Sequence, residues 1–358
     1  MNYKSFIKDR IQRYQSFFND KSSGQILGLV TPYTFKLDYS TWGLGDKPLK
    51  AWNFDCEADA FIELEVKKLR CFMEYTRELD NDYIPSITAS AGIGLHSAYF
   101  SGQEIIFGEE TSWVHPCIHS WSDMQQLILD ENNKWFRMLI RMSNKIAELS
   151  QGDYVPGTFC HLAPTDMANA LRGNELFYDF YDYPKEVHHL MSICSDAIIR
   201  LHRELRRISP LVMGGSAVGG MWIPGEAPSF SEDAPDLCSR ELFREFGFKH
   251  TQRVIDAFGG AFIHHHAKGE HIHSELALLQ GLKVLEMSWD PNCRRPIDHI
   301  AEIYKMNGEI PLMTGCTVED VYQHIDQIKL GRVILMINVE NLSQAKEVME
   351  FIRRHSKV

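Results

Sequence analysis

Along this chain the hydrophobic positions keep two periods in turn. Eight short apolar or β-branched runs, each bounded by Gly, Pro or Asp, stand at 26–33, 82–90, 153–160, 210–216, 261–266, 283–289, 310–316 and 333–338. Runs of this length and composition read as strands, and their near-continuous apolar character suits strands covered on both faces. Between them apolar residues return every three or four positions, as in "EADAFIELEVKKLRCFMEYTREL" (57–79), "DMQQLILDENNKWFRMLIRMSNKIAELS" (123–150) and "PKEVHHLMSICSDAIIRLHRELRRI" (184–208). Pro184 suits a first helical position, and Ser239, with Glu241 just inside, caps a helix over 239–258. Strand–helix alternation builds a parallel sheet with helices on its faces, and eight such units close into a (β/α)8 barrel. The competing doubly wound open sheet lacks a G-x-G-x-x-G after the first run. No repeat, linker or low-complexity stretch divides the chain. The pattern therefore predicts one α/β domain, a TIM barrel with its core at about 24–345. An N-terminal helical extension precedes it, and long loops (34–55, 91–120, 217–238) lie over its C-terminal face.

Composition narrows what such a barrel does. Of 358 residues, 44% are hydrophobic and 11% aromatic, enough for a large core. The formal net charge is −11, with no basic patch to offset it, which argues against nucleic acid or an anionic membrane surface as partner. Apolar stretches are broken within about ten residues, short of the roughly 20 that a membrane span requires. The opening "MNYKSFIKDRIQRYQSFF" carries charges throughout and has no signal-peptide pattern. Eight scattered cysteines without a CxxC pair read as reduced thiols, so the expected location is the cytoplasm.

In barrels the reacting groups stand at the carboxyl ends of the strands and in the loops that follow. "AFIHHHAKGEH" (261–271) places three consecutive histidines at the end of the fifth run. Side chains alternate along a strand, so His264 and His266 share one face while His265 turns to the helical layer. On the sixth run Glu286, Ser288 and, just beyond it, Asp290 share a face. Two imidazoles and one or two carboxylates thus converge on the mouth. Lys268 and the start of a short helix at Glu270 are expected to bind an anionic group. The long loop after the fourth run, "GGSAVGGMWIPGEAPSFSEDAPD" (214–236), offers Trp222 as a wall for a flat ligand and Asp233 as an acid/base group. A weaker cluster after the second run contributes His96.

Four stretches carry a family resemblance: "DNDYIPSI" (80–87) with its acidic pair, "GTFCHLAPTDMANALRGNELFYDFYDYPKEVHHLM" (157–191), "SFSEDAPDLCSRELFREF" (229–246) and the histidine run itself. Together, over about 75–345, they resemble the uroporphyrinogen decarboxylase superfamily, the barrel shared by that decarboxylase and the cobamide-dependent methyltransferases. The decarboxylases' "RQAGRY"-type arginine segment is absent, since "RIQRY" (10–14) lacks its glycine and context. Their later Gly-Cys-Gly-type loop is absent too. The methyltransferase branch carries a zinc site with an "H-x-C-G" motif. On this chain that motif falls on "HAKG", with His266 and Gly269 matched and Lys268 where the cysteine would stand. The second thiolate position, near 338–344, has no cysteine.

The resemblance implies a methyltransferase moving a methyl group between a small substrate and a corrinoid protein or folate. A non-thiolate zinc site made by His264, His266 and Glu286 is the candidate metal centre. His266, Glu286 and Asp233 are the candidate catalytic residues. Lys268, Trp222, Asp82, Asp290 and His96 are the candidate substrate-binding residues. A corrinoid protein and a second copy of the chain are the candidate protein partners. Two alternatives stand beside it: a cofactor-free decarboxylase or lyase in which Lys268 pairs with a carboxylate and His266 protonates the carbanion, and a non-catalytic binder of a tetrapyrrole or corrinoid.

Overall fold

The computed structural model describes residues 3–32 and 47–358. Tyr33 at the end of the first predicted run and positions 34–46 of the first predicted loop lie outside the described residues. Seven parallel strands are hydrogen-bonded side by side. They are β1 (Gln25–Pro32), β4 (Cys160–Leu162), β7 (Ser229–Ser231), β8 (Ala261–His266), β9 (Leu282–Ser288), β10 (Leu312–Cys316) and β11 (Arg332–Val339), in the spatial order β1-β11-β10-β9-β8-β7-β4. The remaining short pair, β2 (Ser86–Ile87) with β3 (Val155–Pro156), joins the two edges. β3 runs on into β4, and the amide of Asp82 donates to the carbonyl of Gly28 in β1 at 3.1 Å. This is the arrangement of a (β/α)8 barrel.

The helical layer follows from the amphipathic segments. It comprises α2 (Phe54–Tyr75), α3 (Leu95–Ser101), α4 (Lys134–Ser150), α5 (Pro164–Arg172), α6 (Glu175–Asp182), α7 (Pro184–Ile208), α8 (Phe248–Phe258), α9 (Glu270–Leu276), α10 (Ile300–Asn307), α11 (Val318–Ile328) and α12 (Leu342–His355). Pro184 opens α7, and the Ser239 side chain accepts from the amide of Leu242. In α7 the buried stripe Val187, Leu190, Met191, Cys194, Ile198, Leu201 and Leu205 keeps the helical period and packs into the main hydrophobic core. Among the described residues no helix is long and apolar enough to cross a membrane.

The amino ends of the strands are closed by a plug. The N-terminal helix α1 (Ser5–Asn19) buries Ile7, Ile11, Tyr14 and Phe17. These pack with an antiparallel hairpin, β5 (Gly215–Val218) and β6 (Met221–Pro224), and with inward-pointing Leu27, Phe262, Val284, Met313 and Ile334 of the barrel. Burying each such side chain stabilises the fold by about 1.5–3 kcal/mol. Gly215 lets the Trp222 ring lie flat on the backbone, because a Cβ there would stand 2.3 Å from the indole.

Three predicted elements are corrected. The fourth run, 210–216, is no barrel strand; its end enters the plugging hairpin. The fourth stave is β7, inside the stretch expected to be a lid loop. β7 is only three residues long and turns Ser229 and Ser231 inward and Phe230 outward, toward the helices. The predicted 91–120 loop contains α3 and a two-residue-per-strand hairpin at 106–107 and 112–113.

Candidate functional site

Parallel register sets Ser231, His264 and Glu286 side by side on β7, β8 and β9, with His266 opposite Ser288 one layer nearer the carboxyl end. The inward face expected from alternation is the one observed. His265 points the other way, fully buried, with its Nε2 2.6 Å from Nδ1 of His273.

Within this layer the hydrogen bonds determine how each ring is oriented. His264 Nδ1 lies 2.9 Å from Oε2 of Glu286, whose Oε1 accepts from Ser288 Oγ at 2.8 Å. His266 Nδ1 lies 2.9 Å from Oδ1 of Asp290, whose Oδ2 accepts from the amide of Lys268 at 3.0 Å. An ionised carboxylate only accepts, so both Nδ1 atoms donate. Both Nε2 atoms are then turned on each other, 3.1 Å apart. Asp233 stands beyond the end of β7, its Oδ2 accepting from Ser231 Oγ. Its Oδ1 is buried without a hydrogen-bond partner, 4.0 Å from His266 Nε2. Nε2 of each histidine and Oδ1 of Asp233 thus form a set of three potential ligands.

Further carboxylates stand behind this set. Asp166 of α5 is buried and accepts from the amides of Asp233 and Ala234, which fixes the start of the loop that carries Asp233. Burial, then the neighbouring Asp233 charge, raises the pKa of Asp166; burial, then Asp166, raises that of Glu232. Burial and Asp233 push Asp236 up to about 7. For His264, burial pulls downward, but the hydrogen bond and charge of Glu286, with Asp233 and Asp166 farther off, outweigh it. Its pKa is raised to about 9, so near pH 7 it is an imidazolium able to donate Nε2–H to His266.

Other predicted site residues are placed elsewhere or differently. Glu286, expected as a metal ligand, holds the back of His264, and Asp233 takes the third position. Trp222 is 3% exposed in the plug, with Nε1 donating to the Val212 carbonyl, at the opposite end of the barrel from the histidines. Asp82 is fully buried between Arg13 and Arg353 and accepts from the Gly28 amide, a structural ion pair. His96 lies on α3 against Phe159, and burial holds its pKa down at about 4. The expected anion site at Lys268 does not form in that way. The Lys268 amide is engaged by Asp290, the Asp236 carboxylate lies on the backbone at Gly269, where a Cβ would stand 1.9 Å from its Oδ1, and Glu270 meets His299. Here the loop gives one backbone amide, that of Lys268, to the protein's own Asp290.

Three supporting features escaped the sequence reading. Asp166 is one acidic residue in a helix, and only its fold places it beneath Asp233. Ser231 lies in a stave too short to detect. Cys160 of β4 turns inward toward Ser229, and burial raises its thiol to about 11.

No protein-family model matches the chain, and no curated protein matches it in sequence. Among solved structures the fold is similar to that of a methyltransferase from Methanosarcina mazei. The identity is 14%, with 93% of each chain covered and a TM-score of 0.61. At that identity the likeness is one of fold.

Proposed function

We propose that this protein is a barrel methyltransferase that moves a methyl group between a heteroatom-bearing substrate and a corrinoid protein or folate. In this reading Asp233, His264 and His266 hold a zinc-class metal ion. The observation that carries it is the 3.1 Å approach of two Nε2 atoms whose rings have both given their Nδ1–H to carboxylates. In the metal-free protein the His264 proton bridges the two Nε2 atoms; once that proton leaves, the imidazoles face lone pair to lone pair, and a shared cation takes its place. Ligand atoms on a tetrahedral zinc ion with bonds of about 2.0–2.1 Å stand about 3.4 Å apart. The observed 3.1 and 4.0 Å bracket this spacing. The orphaned Asp233 Oδ1 supplies the third donor, and carboxylates behind both histidines are the usual partners of metal-bound imidazole.

When bound, such an ion supplies a Lewis acid that polarises the heteroatom carrying the methyl group. The chain's own residues fix the geometry around it. Glu286 with Ser288 orients His264, Asp290 with the Lys268 amide orients His266, and Ser231 with Asp166 orients Asp233 and its loop. Nitrogen and oxygen donors without thiolate make a hard site, suited to an oxygen-bearing substrate. The fold likeness to the Methanosarcina mazei methyltransferase supports the same class of reaction.

A second reading draws on the raised pKa of His264, which makes it a proton donor near neutrality, as a cofactor-free lyase needs. Metal content separates the two. The proposal expects about one zinc or cobalt ion per chain by elemental analysis, and loss of that ion in His266→Ala and Asp233→Ala variants that stay folded. Protein that takes up neither ion, yet releases CO2 from a carboxylate, overturns the proposal in favour of the lyase.

A further inference from the structure

The two halves of the barrel mouth are built differently. The histidine site occupies the carboxyl ends of β7, β8 and β9. Over the ends of β1, β2, β10 and β11 lies a cavity of about 740 Å³. Trp289 lines it and sits in the chain between Ser288 and Asp290, the two residues that brace the histidine pair. The cavity and the histidine site therefore stand side by side at the carboxyl ends of the strands, with Trp289 between them.

From this we infer that the cavity receives the body of the substrate, and that this body is uncharged, apolar and at least the size of a benzene ring. The inference rests on the proposed function only in taking Asp233, His264 and His266 as the place of the reacting atom.

Three observations carry it. The first is size. A dry cavity of roughly 150 Å³ already holds benzene, so a one-carbon alcohol would leave most of 740 Å³ unfilled. The second is surface. Leu29, Phe72, Tyr83, Trp289, Ile297 and Met336 supply the walls, with neutral Thr31 and Asn338 among the hydrogen-bonding groups. Phe72 and Tyr83 meet edge to face, with centroids 5.2 Å apart.

The third observation is charge. Among the described residues the charged side chains lining the cavity are Glu65, Lys68, Arg295 and Asp320. Lys68 pairs with Glu65 at 3.1 Å. Arg295 is clamped by two carboxylates, Asp320 at 2.9 and 3.0 Å and Asp298 at 2.7 and 3.1 Å. An arginine held on both edges of its fork has no face left for a ligand carboxylate. Among the described residues an anion entering this half would be desolvated without a cation left unpaired by the protein's own carboxylates, which is costly.

Calorimetric titration tests the inference without requiring turnover. The probes are methoxybenzene and phenol as uncharged rings, 4-methoxybenzoate as the charged analogue, and methanol. Uncharged rings are expected to bind, the benzoate about tenfold or more weaker, and methanol not to saturate. Met336→Trp, which fills the cavity, is expected to weaken ring binding about tenfold while metal content is unchanged. If that variant does not fold, Trp289→Ala at a half-exposed position serves, with the same direction expected. Tighter binding of the benzoate overturns the inference. So does indifference of ring binding to the folded variant, or an absence of ring binding in metal-loaded protein. Ring binding without any methyl transfer would leave the inference standing and count against the proposed reaction.

Discussion

Each imidazole at the mouth is read by its back as much as by its front. Alternation along β8 made it legible that His264 and His266 share a face, and alternation along β9 that Glu286 joins them. What alternation does not give is depth. Glu286 is the register neighbour of His264, so its carboxylate meets the near nitrogen, Nδ1. Asp233 approaches from beyond a strand end and faces the far nitrogen, Nε2. A predicted ligand therefore becomes an orienting group, and a predicted acid/base residue becomes the ligand candidate. Glu286→Gln is expected to keep the fold and weaken zinc affinity about 10–100-fold, as loss of a carboxylate behind a metal-bound histidine does; competition with a chromophoric chelator measures this. Unchanged affinity would return Glu286 to a role in packing alone. Because His264 holds its proton up to about pH 9, the ion must displace that proton. Zinc affinity is accordingly expected to strengthen as pH rises from 7 toward 9. A flat profile over that range would mean that no proton stands at Nε2.

At the scale of elements, long apolar strands and capped helices were readable, and the exceptions have physical causes. The stretch "PLVMGGS" looks like a buried strand because it is apolar and ends in glycines, yet its burial is in the plug. The stave that replaces it, "SFS", sends polar serines into the lumen and one phenylalanine outward, the reverse of the pattern that marks a half-buried strand. β8 is also tied from behind. His265 reaches His273 on α9, His273 Nε2 meets Asn307 Oδ1 at the end of α10, and Asn307 Nδ2 donates to the Ile310 carbonyl just before β10. The asparagine's orientation forces each tautomer in turn, so the chain of bonds has one polarity. His265→Phe leaves the buried His273 Nδ1 without a donor and is expected to cost about 1–3 kcal/mol in urea unfolding. Zinc affinity should fall with it, although no ligand is changed. A variant as stable as the parent would show that packing, not this line of bonds, holds the strand.

For the whole molecule, buried titratable groups set an optimum of stability. Burial keeps His96 and His273 near pKa 4 and His202 near 3, and holds His161 and His265 low as well. Below pH 6.5 the unfolded chain takes up protons that these folded-state histidines refuse, so stability is lost as pH falls from about 6.5 toward 4. Asp236 at about 7 and His264 at about 9 have raised pKa values and act in the opposite sense. They favour the fold at lower pH: the contribution of Asp236 is lost as pH rises from about 4 through 7, and that of His264 as it rises from about 6.5 through 9. Metal-free protein is thus expected to be most stable near pH 6.5, checked by denaturant midpoints from pH 4.5 to 9; a midpoint still climbing at pH 8 would contradict this. One last consequence belongs to the hairpin and first helix lodged in the amino end of the barrel. They make the lumen a blind vessel: whatever reacts there arrives and departs through the same doorway. Direct group transfer needs both reactants in the chamber together, so the one that lies deeper must enter first and leave last. Steady-state velocities measured against both should then give intersecting reciprocal lines, with the pattern of product inhibition showing which reactant enters first.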